Sequence, residues 1–212
     1  MPELVLPLVV RIERADPPTR TDALEAAARA ALLMLTTDRD EWADAVAAWD
    51  GQRIRKVVRR ARGAEWRRAL TLDGLDVTQG SAEVRVYPPI PVDGWPPELA
   101  RLQVGGTELT DADPPPEPPA GTPLVLLSPH VELTAGKAMA QAAHAAQLGW
   151  RASGRAAQQA WRARDFDLAV RNATNAQWST AVRAGAPVVH DGGFTEVEPD
   201  TQTALAVLPW LR

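Results

Sequence analysis

The chain has 212 residues, 45% of them hydrophobic and 24% charged, with no cysteine and a net charge of −4. That length and composition suit one ordinary domain or two small ones with a buried core, and the missing cysteines exclude disulfides, thiolate metal sites and cysteine nucleophiles together. The acidic balance argues against a nucleic-acid binder that uses its whole surface, although a local basic stripe can still serve one.

In chain order, the first apolar run is Leu4 to Val10, preceded by Glu3 and followed by Arg11, Glu13 and Arg14. It is short and has no basic leader, so it reads as a strand rather than a signal peptide. No segment reaches the roughly 20 apolar residues a membrane helix needs; no membrane partner and a cytoplasmic location are expected. ALEAAARAA at 23–31 predicts an alanine-rich helix, a second helical stretch ends near Trp49, KVVRRA predicts a strand, and a helix surrounds Trp66. LDVTQ and LARLQV predict two closing strands. Residues 107–122, rich in proline and acid, form a stiff extended linker.

Beyond the linker the same order recurs. PLVLLS, an alanine-rich helix AMAQAAHAA, a helical stretch ending near Trp161, the strand DLAVRN, a helix around Trp178, and the strands APVVHD and ALAVLP follow one another. At one constant offset Trp161 falls on Trp49, Val170 on Val58, Arg171 on Arg59 and Trp178 on Trp66. Tryptophan is rare, and two coincident pairs separate a duplication from the general likeness of alanine-rich helices. The expected fold is α/β: two small α/β sandwich units with mixed sheets, residues 1–106 and 123–212, related by internal duplication and packed as a pseudo-dimer. The chain would act as a monomer in that form, or as a homodimer.

All three histidines lie in the second half, with the densest set of reactive residues. In GKAMAQAAHAAQLGW, Lys137, Gln141 and His144 occupy i, i+4 and i+7, one face of a helix. Alanines between them permit close approach by a neighbour. Thr134 is placed to cap the helix, and Gly136 and Lys137 open its first turn, where free N–H groups attract a phosphate or a developing oxyanion. Further on, a strand ends in His190-Asp191, turns through Gly192-Gly193 and resumes at Thr195. Each residue also has a plainer use: a histidine on such a helix commonly packs, a first-turn lysine is commonly solvated, and Asp before Gly-Gly forms turns. A metal site is not expected, because the spacing of His144, His190 and Asp191 follows no known ligand pattern.

Residues 123–212 resemble the type-II peptidyl-tRNA hydrolases. That family carries a helix beginning G-K-x-x-x-Q-x-x-H-A, a strand ending in D-x-G-x-T, and a Q-T pair before the last strand; Gly136, Lys137, Gln141, His144 and Ala145, then Asp191, Gly193 and Thr195, then Gln202 and Thr203 match in order and spacing. The resemblance implies hydrolysis of the ester joining a peptide or N-blocked amino acid to the 3′ end of tRNA, with tRNA as partner and substrate and with no metal or other cofactor. It also implies that Lys137, His144, Asp191 and Thr195 line the site, with Gly136, Gln141 and Thr203 beside them. Asp191 held near Lys137 would position or deprotonate a water, Lys137 could instead face the ester carbonyl, and His144 would orient a partner. Gln141 and Thr195 would bind backbone or ribose oxygens. Glu132, Ala135 and Phe194 stand where the family often has basic residues, which weakens the expected grip on tRNA.

The first half has Asp22, Ala26 and Arg29 at the positions of Lys137, Gln141 and His144, and Gln79 and Glu83 at those of Asp191 and Thr195. It carries instead a basic run, Arg53, Arg55, Lys56, Arg59, Arg60, Arg62, Arg67 and Arg68, with Trp66 inside it. Arg59, Arg60 and Arg62 are the candidates for tracking phosphates, with a base stacked on Trp66; a merely solvated face is the other reading. Only two of the 23 basic residues are lysines, Lys56 and Lys137. Against the hydrolase stands a binding or regulatory module of the same fold without turnover, or an esterase acting on a small substrate. No Gly-x-Ser-x-Gly elbow or phosphate-cradling glycine loop is present.

Overall fold

Side-chain alternation along β1 (Leu4–Arg11) sets the layering. Leu4, Leu6, Leu8 and Val10 enter the main core, whereas Val9 points the other way into a small cluster with Trp66 and Leu99. The structure is a computed structural model that describes residues 2–52, 55–193 and 196–211.

Around β1 a mixed sheet forms. It runs parallel to β2 (Lys56–Ala61) and antiparallel to β4 (Ala82–Val86), which pairs with β3 (Leu75–Gln79), giving the order β2-β1-β4-β3. A two-residue β5 (Ile90–Pro91) adds to the start of β1. The second half repeats this plan: β6 (Leu124–Leu127) is parallel to β7 (Ala169–Asn172) and antiparallel to β9 (Gln202–Val207), which pairs with β8 (Val188–His190), in the order β7-β6-β9-β8. The tryptophan correspondence has a physical basis, since Trp49 Nε1 donates to Arg55 O at 3.0 Å and Trp161 Nε1 donates to Asp167 O at 2.9 Å. Both indoles clamp the chain just ahead of the parallel strand.

Between the sheets lie α1 (Arg20–Leu35) and α5 (Ala135–Ala152), packed on one another. Each lies on its own sheet and also under the edge strand of the other half, α1 under β7 and α5 under β2. Buried on several sides at once, both need small side chains, which is why alanine fills them. Gly149 shows how tight this is: a Cβ there would fall 2.9 Å from Ala206 Cβ. Helices α2 (Asp40–Asp50) and α6 (Arg155–Arg162) carry the two clamping tryptophans. The outer sheet faces are covered by α3 (Gly63–Ala69) with α4 (Pro97–Ala100), and by α7 (Asn175–Arg183).

The α/β fold with two mixed-sheet units is as expected from the sequence, but one core cluster runs through both units, from Leu8 and Trp49 to Val125 and Trp161. One strand assignment is corrected. LARLQV at 99–104 is not a strand: Pro96 and Pro97 start the short α4, which turns Leu99 and Leu102 together into the outer cluster. The strand that pairs with LDVTQ is AEVRV, returned by a turn at Gly80 (φ 52°). The linker's opening residues are also built in. Thr107 and Leu109 are buried, and Asp111 accepts from Thr21 N and Oγ1 at 2.9 and 2.8 Å.

A shared core makes the halves interdependent. Residues 123–212 expressed alone should aggregate or pair with a second copy, because the α1-facing side of α5 is then bare; a monomer unfolding cooperatively in sedimentation and denaturation experiments would contradict this.

Candidate functional site

Most of α5 is buried, and among its half-buried positions Lys137, His144 and Leu148 form a single stripe. Thr134 caps the helix by accepting from Lys137 N at 3.4 Å, and its own N and Oγ1 donate to Glu196 at 3.0 and 2.6 Å. Opposite this stripe, β8 delivers Asp191. Its backbone is pinned on both sides, N donating to Thr201 O at 2.9 Å and O accepting from Asp200 N at 2.8 Å. Gly193 turns back at φ 73° to give its N–H to Asp191 Oδ1 at 2.8 Å, and a Cβ there would collide with Pro199. Only glycine fits that turn.

The side chains then meet. Lys137 Nζ lies 2.5 Å from Asp191 Oδ2, with both side chains largely buried, and Gln141 Nε2 donates to the same oxygen at 2.7 Å. Thr203 Oγ1, fully buried, donates to Gln141 Oε1 at 2.6 Å, which fixes the amide so that its NH2 faces the carboxylate. A buried ion pair repays its desolvation only with such supporting hydrogen bonds. Lys137, Gln141, His144 and Asp191 line one cavity of about 600 Å³, within the small-ligand range of roughly 300–1,000 Å³. Val58, Val104, Leu148 and Val189 supply apolar wall.

His144 lies deeper in the same cavity, and its Nδ1 meets the Nζ of Lys56 at 3.1 Å instead of Asp191. Lys56 comes from β2 of the other half. It was grouped with the basic run by sequence; the structure buries it, because the β2 register turns it inward onto α5. Lys56 also donates to Gln147 Oε1 at 2.5 Å and lies 4.8 Å over the Trp49 ring; Gln147 Nε2 in turn donates to Asp50 Oδ1 at 2.5 Å, which Arg151 bridges. Burial pushes the Lys56 ammonium well down from its ordinary range, and Arg151 adds to this while Asp50 opposes it. Burial, then Lys56 and Lys137, hold the His144 imidazolium well below its ordinary range. The signal for Lys56 in the sequence was its rarity among the arginines; nothing marked Gln147 or Asp50.

Other expected residues have different duties. Gly136 N donates to Thr107 Oγ1 at 3.0 Å, so that N–H is not open to an anion, and a Cβ on Gly136 would lie 2.9 Å from the same hydroxyl. Thr203 acts through Gln141 and is sealed from the cavity. Thr195 lies outside the described residues, as do Phe194 and Arg53 of the basic run. Arg59 donates to Ala100 O and Leu102 O and stacks on Trp95, and Arg60 donates to Gly105 O and bonds Gln103. Both hold the 100–105 segment to β2. Arg62 precedes α3 as its cap residue. Trp66 is buried under α3 and offers no face for a base.

The corresponding place in the first half is filled. Counted from the threonine caps Thr19 and Thr134, Glu25 stands where α5 has Ala140; it accepts from Val170 N at 3.1 Å, Arg171 at 2.8 Å and Gln79 at 3.0 Å. Arg29, in the place of His144, donates to Gln79 Oε1 at 2.6 Å. These residues bond to one another across the cleft, although the buried Arg171 Nε has no partner among the described residues. Among the described residues no grouping of three or more His, Asp or Glu side chains is arranged to hold a metal ion, and no helix is long and apolar enough to cross a membrane.

Thr203→Val, close in shape but without the hydroxyl, leaves Gln141 Oε1 unpaired and should cost about 1–3 kcal/mol, with Thr203→Ser near wild type, as read by denaturant unfolding. His144 titrates in the folded chain below its ordinary 6.5, so the unfolded chain takes up that proton first and stability falls as pH drops through 6.5. The loss of stability between pH 7 and the folded-state midpoint should be smaller in His144→Gln than in the wild type; an equal loss would show that His144 does not contribute. Compared with known proteins, the chain matches no family model, no curated protein and no solved structure.

Proposed function

We propose that the second half hydrolyses the ester of peptidyl-tRNA or N-blocked aminoacyl-tRNA, releasing free tRNA in the cytoplasm. One observation carries this reading: an ammonium, an amide and a backbone N–H converge on a single carboxylate at the floor of a cavity sized for the 3′-terminal aminoacyl nucleoside.

The chemistry follows from what each atom has left to give. Asp191 Oδ2 accepts from Lys137 and Gln141, and Oδ1 accepts from Gly193 N–H, so among the described residues Oδ1 keeps a lone pair for a water. That water, deprotonated by Asp191 as it attacks the ester carbon, gives a tetrahedral intermediate. Its proton passes from Asp191 to the leaving ribose oxygen as the C–O bond breaks. Lys137, fixed beside Asp191, supplies the positive charge that the oxyanion needs. Gln141, locked by Thr203, holds the carboxylate in place, and the valine and leucine walls exclude bulk water, which strengthens these interactions.

A second reading, a binding module of this fold without turnover, is favoured by one feature: Thr107 and Glu196 occupy the N-terminus of α5, where a free N–H set would have assisted the oxyanion.

An assay on N-acetyl-aminoacyl-tRNA separates the two. Lys137→Ala and Asp191→Ala should each lower kcat/KM at least about 100-fold, the scale of losing an acid-base group or an oxyanion donor. Wild-type rates in either variant would refute the assignment, and an inactive wild type that still binds substrate would favour the module.

A further inference from the structure

We propose that Lys56, delivered by the half that lacks the reactive set, is a positioning residue for the cavity: it donates to His144 Nδ1 and so keeps the ring proton on Nε2, free to donate to a ligand oxygen. The inference rests on the hydrolase reading for the nature of that oxygen, an ester or ribose oxygen of the substrate.

The hydrogen bonds can be followed in order from Asp50 to His144. Asp50 accepts from Gln147 Nε2 and from Arg151, which turns Gln147 Oε1 toward Lys56. Lys56 must therefore donate to Gln147, and with its remaining hydrogens it faces His144 Nδ1 and the Trp49 ring. As an ammonium Lys56 has donors only, which makes Nδ1 the acceptor and puts the imidazole proton on Nε2; a Lys56 neutralised by its burial would accept from Nδ1 instead, and the ring tautomer distinguishes the two. Among the described residues the ring makes no other hydrogen bond, and it lines the cavity. Burial disfavours a charge on this ring, so it is a donor that does not itself bring a charge into the cavity.

The duplicated architecture supplies its own control. At the offset that superimposes the tryptophans, Lys56 corresponds to Leu168; counted from the threonine caps, Gln147 corresponds to Leu32. Both leucines are buried in the main core. The same pair of places is thus filled by hydrocarbon beside the closed cleft, where the chain entering β7 meets α1, and by a lysine and a glutamine beside the open one, where β2 meets α5. Packing does not require the polar pair. A buried polar network that an apolar pair can replace without loss of the fold is kept for what it orients.

The double variant Lys56→Leu/Gln147→Leu recreates the leucine pair and should fold. Nitrogen-15 NMR of the imidazole in the full-length wild type should show Nδ1 unprotonated and Nε2 protonated at neutral pH. The double variant should show a mixture of tautomers, and on N-acetyl-aminoacyl-tRNA its kcat should fall about 10- to 100-fold, the scale of misplacing a reacting group, with KM changed less than about twofold. A wild-type proton on Nδ1, an unchanged tautomer in the variant, or an unchanged kcat would overturn the proposal. If the variant does not fold, the wild-type tautomer decides alone. If the wild type turns over nothing, the hydrolase reading fails separately, and weaker binding of an amide-linked N-acetyl-aminoacyl-adenosine by the variant, with the tautomer shift, would uphold Lys56 in its role; unchanged binding would end it.

Discussion

The packing of α1 on α5 is the constraint from which the rest follows. Two helices buried between two sheets, and against each other, can carry only small side chains over most of their surface, and the chain supplies alanine at the majority of their buried positions. Close approach of the helices brings each half's parallel edge strand over the other half's helix. That crossing places β2 above the polar stripe of α5, which is how a residue of the first half reaches the cavity of the second. The cavity therefore belongs to the pair of halves, and the linker, with Thr107 on the first turn of α5 and Asp111 on that of α1, is part of its frame.

Duplication and divergence explain the asymmetry between the two clefts. At the first half's cleft, Glu25 is buried and accepts from Gln79, Arg171 and Val170 N, and Arg29 donates to Gln79. In the second, Ala140 leaves the room that Glu25 takes up, and the polar groups that remain are held by neighbours while facing a cavity. The cost of burying Lys137 and Asp191 is met by Gln141, Thr203 and the Gly193 N–H, so the pair is stable only as a whole set. The proposed reaction draws on the same economy, since groups already oriented need no reorganisation as charge develops.

Much of this was legible in the sequence. The tryptophan register exposed the duplication because an indole that clamps the start of a parallel strand cannot drift relative to it. Lys137, Gln141 and His144 could be placed on one face because helical spacing alone decides that. What could not be read were features that depend on how the halves meet. The arginines at 59 and 60 look like a phosphate track in a list of residues, yet they are consumed by carbonyls of a segment some forty residues later in the chain. Lys56 looked like one more surface cation until the β2 register turned it inward. LARLQV alternates Ala100, Leu102 and Val104 at strand spacing, but the prolines before it start a helical turn, and the nearer hairpin partner at 82–86 wins the edge of β3.

The central claim is that substrate enters the shared cavity with its reacting carbonyl at Lys137 and Asp191. A crystal structure with an amide-linked, non-hydrolysable N-acetyl-aminoacyl-adenosine would test it most directly. The account predicts the carbonyl oxygen within hydrogen-bonding distance of Lys137 Nζ, in the space between α5 and β2. A ligand seated on another surface, or Lys137 and Asp191 found apart with the cavity filled by side chains, would contradict it.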